Sequence, residues 1–273
     1  MNKILHILLC LLPFMASAQL KDSATRLIRM QGAYNFRDAG GYITKEGSHV
    51  VSGKVFRSAD ISKLTDDDLE LMSQKHIYTV IDFRGHKEAA KAPDKILPGT
   101  RYQLCPAGSD SLPDQAQMAV LLQQGGFLNK MYGEASLPYF GDRYRPLFQA
   151  LLTLPDTTAL LFHCTGGRDR TGMANALFLY ALGVPQDIIE QDFVASNVYL
   201  SAMPMHEKMF SSLAAASGLS AAQVRNEMEL RPELIRTFFA SINKRYGSME
   251  QFMQQELGVG PNELKLLKSK YSH

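Results

Sequence analysis

The sequence predicts an α/β fold with a central, largely parallel sheet flanked by helices, a helical lid and a helical C-terminal third. Three observations predict it. The short apolar runs Ile77–Ile81 and Ala159–Phe162 each stop at a polar or glycine-rich turn, as buried strands do. Segments with helix start and stop signals lie between and after them. Beyond Pro185, apolar residues recur almost entirely at helical spacing. Strands that alternate with helices build a parallel sheet covered on its faces.

In chain order, the first element is a leader. Lys3, an apolar run from Ile4 to Met15 and Ala16-Ser17-Ala18 form the pattern of a secretory signal peptide with an A-x-A cleavage site. The run is too short to span a bilayer. The expectation is a signal peptide over residues 1–18, a single domain over 19–273, and export to the periplasm or beyond the cell. Thr65-Asp66-Asp67-Asp68 starts a helix, with threonine as the cap and the acids at the positive end of the helix dipole. Capping accounts for this acidic trio without a metal. Ile77–Ile81 is a strand that ends at Asp82, and Tyr102–Cys105 is a second strand. Between about 106 and 136 the ends are polar, and Gln115–Leu122 reads as a short helix. A helix placed after a strand end suits a lid over a pocket. Ala159–Phe162 is the next strand, followed by a turn and a helix over Met173–Leu182 that Gly183 and Pro185 end. Pro185-Gln186-Asp187 opens another helix, Ser248-x-x-Gln251 caps one, and Pro232–Arg245 and Asn262–Lys270 carry helical spacing.

The turn between the strand and the Met173 helix reads His163-Cys164-Thr165-Gly166-Gly167-Arg168-Asp169-Arg170-Thr171-Gly172. A strand end meeting a helix start gathers free backbone N–H groups and the positive end of the helix dipole, which makes an anion site. Gly166 and Gly167 let the backbone curl toward a phosphate. Cys164 is the nucleophile candidate, because helix N-termini and adjacent cations hold a thiol as thiolate. Arg170, six positions on, offers a planar fork to two phosphate oxygens. Arg168 adds a second cation for a neighbouring anionic group. Thr171 either donates to the thiolate or caps the helix, and His163 orients the loop. Asp169 is repelled by an anion unless it carries a proton or binds arginine, so it is the first candidate for general acid. Asp82, Cys105 and Cys164 each end a strand and so can face one pocket. Asp82 is the alternative acid, or else the ion-pair partner of Arg84 or Arg57. Cys105 is either an inert core thiol or the partner of Cys164 in a reversible disulfide. The Walker A spacing is absent.

This loop resembles those of the cysteine-dependent C-x5-R phosphatases. More narrowly it is similar to bacterial tyrosine/phosphoinositide phosphatases whose loop reads H-C-x-x-G-K-D-R-T-G. Asn35–Tyr42 resembles that family's N-F-R-D-x-G-G, Val55–Asp60 its F-R-S, Asp82-Phe83-Arg84 its D-L-R, Gln191–Asn197 its D-Y-x-x-S-N, and Tyr246–Met249 its Y-G-S. The resemblance implies a protein-tyrosine-phosphatase-like fold with helical lid material near 106–136. It also implies Cys164 as nucleophile, Arg170 as phosphate binder and Asp169 as an acidic catalytic member. Arg168 stands where the family has lysine.

Composition narrows the rest. The formal net charge is +2 over 273 residues, so no general attraction to nucleic acid or membrane follows. Three cysteines, one of them in the leader, are too few for a disulfide scaffold. No C-x-x-C or H-E-x-x-H is present, so no metal or other cofactor is implied. The expected function is hydrolysis of phosphomonoesters through a phosphocysteine, with phosphotyrosine first and phosphoserine/threonine or phosphoinositides after it. The expected partner is a phosphorylated protein or a small phosphomonoester. The alternatives are an inositol-phosphate (phytate-like) phosphatase, a phosphate-binding module without turnover, and a sulfurtransferase, whose loop is shorter.

Overall fold

A computed structural model describes residues 25–201 and 203–273; the signal peptide expected over residues 1–18 lies outside them. Five strands share one sheet: β1 Arg37–Asp38, β2 Val55–Ser58, β3 Ile77–Asp82, β4 Arg101–Leu104 and β5 Ala159–His163. Their order is β1-β2-β5-β3-β4. Only β1 runs antiparallel, against β2; the other pairings are parallel. The parallel register aligns Ser58 and Asp82 with His163, and Leu104 with Asp82. The ends of β2, β3, β4 and β5 therefore lie at one edge, where the loop after His163 begins.

The α/β class is as the sequence predicts, and β3 and β5 fall where it puts them. Strand β4 starts and ends one residue early, which leaves Cys105 just beyond it. Strand β2 carries no periodic sequence signal: Val-Phe-Arg-Ser is two apolar residues followed by two polar ones, yet all four residues are buried.

The helices are α1 Asp66–Gln74, α2 His86–Lys91, α3 Gln115–Gln124, α4 Phe127–Tyr132, α5 Leu137–Thr153, α6 Arg170–Ala181, α7 Gln186–Ser201, α8 Pro204–Ser217, α9 Ala221–Met228, α10 Pro232–Tyr246, α11 Met249–Phe252 and α12 Pro261–Tyr271, with a π-helical turn over Met253–Leu257. Thr65 caps α1, and the Asp68 carboxylate accepts from the Thr65 amide and from those of Gln31 and Gly32. Here an acidic side chain ties the N-terminal segment down. Ser248 caps α11 through the Gln251 amide.

Alternate residues of the strands go to opposite faces, so the sheet has a core on each side. Leu160, Phe162 and Ile81 join the larger core with residues of α5, α6, α10 and α12, among them Tyr144, Leu177, Phe238 and Leu267. Leu161, Val80 and Phe56 pack with Leu64 and Met72 around α1. Helix α6 is buried on nearly every side, which is why its sequence lacks a polar face. Leu122, Phe210, Leu213, Val224 and Met228 form a third, smaller cluster that joins α3, α8 and α9. Within the stretch expected as a lid, α3 thus packs on α8, while the end of α4 reaches the loop. No helix among the described residues is long and apolar enough to cross a membrane.

Candidate active site

The loop after β5 owes its path to one glycine. Gly167 has φ +59, and a Cβ there would lie 2.3 Å from the Ser58 carbonyl oxygen at the end of β2. No other residue fits. Gly166 is less constrained, since a Cβ there would meet only the Arg168 Cβ at 3.7 Å. Helix α6 starts at Arg170, three residues before the apolar pattern begins, so Asp169 takes the cap position. The backbone N–H groups of Thr165 to Asp169 donate to no acceptor among the described residues. Five free amides in one turn are the donors an oxyanion needs.

Cys164 is 2% exposed at the base of this turn. A negative charge on its sulfur would act on three buried guanidiniums, those of Arg57, Arg168 and Arg170. Arg170 points inward. One of its terminal nitrogens donates to the Phe83 carbonyl at 3.0 Å, and the terminal pair grips Glu88 at 2.6 and 3.0 Å. Its Nε has no partner among the described residues and is a donor that could meet an oxyanion. Burial alone would lower the Arg170 pKa; the charges of Cys164, Glu88 and Asp169 outweigh it and raise it. Thr165 donates its hydroxyl to Glu88.

Asp169 is held from two sides. Tyr132, at the end of α4, donates its hydroxyl to Oδ1 at 2.9 Å, and Arg168 donates through Nε to Oδ2 at 3.0 Å. Arg168 also donates to the Met228 carbonyl at the end of α9 at 2.9 Å. The cation expected to meet a second anionic group is therefore engaged by its neighbour and by the helical cluster above the loop. Thr171 is fully buried in the first turn of α6 and does not cap it; its hydroxyl has no partner.

Asp82 does not join the loop. It is fully buried and accepts from the Arg84 side chain at 2.8 to 3.0 Å, from the Arg84 amide and from the Tyr102 hydroxyl. Burial alone would raise its pKa, but His163 and Arg84 bring it below the ordinary carboxylate value. Of its two sequence alternatives, the geometry matches the ion pair with Arg84. His163 has Nε2 2.9 Å from Asp94 and Nδ1 3.3 Å from the Cys164 carbonyl. Burial would lower its pKa; Asp94 and Asp82 raise it. Asp82, Asp94 and His163 are the group of three metal-ligand side chains that comes together among the described residues, and Arg84 bonds both carboxylates. Cys105 is a buried free thiol pushed up to about 12, first by burial and then by Asp82, and no disulfide joins it to Cys164.

The profile of the tyrosine phosphatase family matches residues 28–273. The chain belongs to the tyrosine phosphatase family. It is thus a phosphoric monoester hydrolase of the protein-tyrosine-phosphatase type. A Cupriavidus necator protein, named provisionally as a tyrosine-protein phosphatase, is 30% identical over 243 residues, 85% of this chain and 84% of its own. The triple specificity protein phosphatase PtpB of Mycobacterium tuberculosis is 27% identical over 230 residues, 76% of this chain and 78% of its own. The crystal structure of P. aeruginosa TpbA is 17% identical, covers 66% of this chain and 89% of its own, and superposes with a TM-score of 0.30, too loose to carry an argument.

In this tyrosine phosphatase the motifs shared with the family prove to be the scaffold of the loop. Asn35, itself at φ +56, donates its amide to the Gly167 carbonyl at 2.9 Å. Arg57 donates to the same carbonyl at 3.0 Å and to Asp192 at 2.7 Å. Arg37, Tyr42 and Asn175 also donate to Asp192. Burial would raise the Asp192 pKa, but Arg37 and Arg57 hold it well below the carboxylate range. Sequence reasoning missed the parts played by Asn35, Arg57, Glu88, Tyr132 and Asp192. The F-R-S segment was the available clue for Arg57. Glu88 offered none, since nothing near it in the chain is apolar or glycine-rich beyond an ordinary helix start.

Glu88 supplies a pH prediction. Burial alone would push its carboxyl up; Arg170, the Gly85 amide and the Thr165 hydroxyl bring it down to about 2. A depressed folded value means stability that is present above the unfolded pKa and lost as pH falls through the folded one. Wild type should exceed Glu88→Gln by about 2 kcal/mol at pH 6, discounted for the side chain's partial exposure, with the gap closing between about pH 4.5 and 2. Urea melts across that range measure it. A gap that stays constant would show that the Arg170 contact does not depend on the carboxylate's charge.

Proposed function

We propose that this phosphatase is exported and hydrolyses phosphomonoesters, phosphotyrosine first among them, through a phosphocysteine intermediate. One observation carries the reading: five unpartnered amides and the unpartnered Nε of Arg170 belong to the loop that holds Cys164. In the first step the Cys164 sulfur forms a bond to phosphorus as the bond to the leaving oxygen breaks, and Asp169 gives that oxygen its proton. In the second, water attacks phosphorus and gives a proton to Asp169; the P–S bond breaks and the thiolate returns. The amides and Arg170 hold the equatorial oxygens while charge spreads over them. Tyr132 and Arg168 orient the Asp169 carboxyl.

Asp169 is favoured over Asp82 because Asp82 is closed in by Arg84 and Tyr102. The triple-specificity name of the mycobacterial relative supports a range that extends past phosphotyrosine, with phosphoserine/threonine or phosphoinositides as the candidates. The engagement of Arg168 weighs against substrates that need a free cation for a second phosphate, inositol phosphates included. Export rests on the pattern of residues 1–18 alone.

The test uses aryl phosphates of graded leaving-group acidity in excess chelator. Hydrolysis should resist the chelator. Asp169→Asn should lower kcat by about 10²–10⁴-fold for poor leaving groups and far less for good ones. Asp82→Asn should keep the wild-type leaving-group dependence and show its damage as lost stability. Activity that needs added metal, or a leaving-group effect that follows Asp82, would overturn the scheme. Phosphotyrosine peptides against phosphoinositides and phytate then order the substrates.

A further inference from the structure

The buried charges under the loop do not balance. Each arginine of the loop itself has a carboxylate: Glu88 for Arg170 and Asp169 for Arg168. On the β3 side, Arg84 and His163 face Asp60, Asp82 and Asp94, which leaves no spare positive charge. Beneath the loop the count differs. Arg37 and Arg57, 1% and 0% exposed, share the single carboxylate of Asp192. Arg26, at the outer edge, bonds the Gly40 carbonyl and senses Asp38, whose oxygens accept from the Gly40 and Gly53 amides. The three guanidiniums therefore meet two carboxylates. The tyrosines nearby add no anion, since burial pushes Tyr42 well above its ordinary value and Tyr144 up to about 12. A buried cation without a counter-charge is costly.

We infer that Arg57 is the counter-ion of the Cys164 thiolate, a positioning residue that keeps the nucleophile ionised from beneath the loop before substrate arrives. The Arg57 guanidinium reaches the loop at the Gly167 carbonyl, its Nε is buried without a partner, and its other bond goes to the Asp192 oxygen that Asn175 also holds. Burial and Arg37 bring Arg57 down to about 10, and the anions that oppose this are Asp192 and Cys164, with Tyr42. The thiolate is thus the charge that closes the set. Arg170 and Arg168 face the same sulfur from the loop, yet each already has its own carboxylate.

The inference rests on the reading of Cys164 as nucleophile, and its test needs no turnover. Alkylation of Cys164 by iodoacetamide, located by peptide mass, is followed against pH in wild type, Arg57→Gln and Arg57→Lys. Cys105, with its raised pKa, should not compete below pH 9. Wild type should show a midpoint well under the ordinary thiol value of about 8.5. Arg57→Gln should raise it by about one unit or more, which is a tenfold loss of thiolate at any pH well below the wild-type midpoint. Arg57→Lys, which keeps the charge, should stay within about 0.3 unit of wild type, about a twofold change. An unmoved midpoint in folded Arg57→Gln overturns the inference and leaves the nucleophile reading intact. A wild-type midpoint near 8.5 overturns both. If Arg57→Gln does not fold, Arg57→Lys decides: a rise of a full unit with the cation retained would mean that charge is not what Arg57 contributes.

Discussion

Cys164→Ser is expected to abolish hydrolysis of aryl phosphates, with kcat falling by about 10⁴-fold or more and KM little changed. Serine keeps the size and position of the side chain but does not ionise near neutral pH, so the attacking atom is lost. Removal of a covalent nucleophile acts on this scale elsewhere. The groups proposed to bind the phosphoryl oxygens, the Thr165–Asp169 amides and Arg170, would remain in place, which is why the loss belongs to kcat. Steady-state kinetics in excess chelator measure both parameters. Residual activity above about one part in a thousand would mean that sulfur is not the nucleophile. A kcat left intact with a raised KM would instead assign Cys164 to binding alone.

The largest expected loss of stability comes from a residue that never meets substrate. Asp192→Asn keeps the shape of the side chain but removes the one carboxylate shared by Arg37 and Arg57, both fully buried. Leaving two buried guanidiniums without the carboxylate they share costs about 3–5 kcal/mol, or roughly 6–20 °C in Tm for a chain of this size. The amide of the variant also turns a donor toward Tyr42, Asn175 or the arginines, where every present partner donates. The sign of the pH effect follows from the depressed pKa of Asp192. Its contribution is complete above the unfolded carboxyl value of about 4 and is lost as pH falls toward the folded one. The stability gap between wild type and Asp192→Asn should therefore be flat from pH 5 to 8 and narrow below about pH 4. Calorimetry at several pH values tests this, and a variant within about 1 kcal/mol of wild type at pH 7 would show that the arginines find other partners.

The parts of this molecule that sequence made legible are those with a local cause. Strands β3 and β5 are continuous apolar runs, α1 has its Thr65 cap, and the turn from Cys164 to Arg170 carries its own spacing. Local cause also sets the limits. The helix after the loop begins at Arg170 rather than Met173 because backbone geometry, not apolarity, starts it. Glu88 meets Arg170 across 82 positions of chain, and Asp192 meets Arg57 across 135; no window of sequence contains either pair. Asp82 could be an acid or an ion-pair member on sequence grounds, and only the placement of Arg84 and Tyr102 around it separates the two. Arg168 shows the same limit, since its charge was evident but its attachment to Met228 at the end of α9 depends on how distant helices pack.

The far end of the chain is sewn into the segment between β1 and β2. The amide of His49 donates to His273, that of His273 to His49, and that of Val51 to Tyr271, whose hydroxyl in turn holds the Leu151 carbonyl in α5. The Arg37 and Arg57 strands flank this segment. These bonds can form only once residues 271–273 have been synthesised, so the segment beside the Arg37 and Arg57 strands gains its last partners late in translation. Cutting the chain before Tyr271 should therefore loosen the segment around His49 to Val51 that lies between those strands.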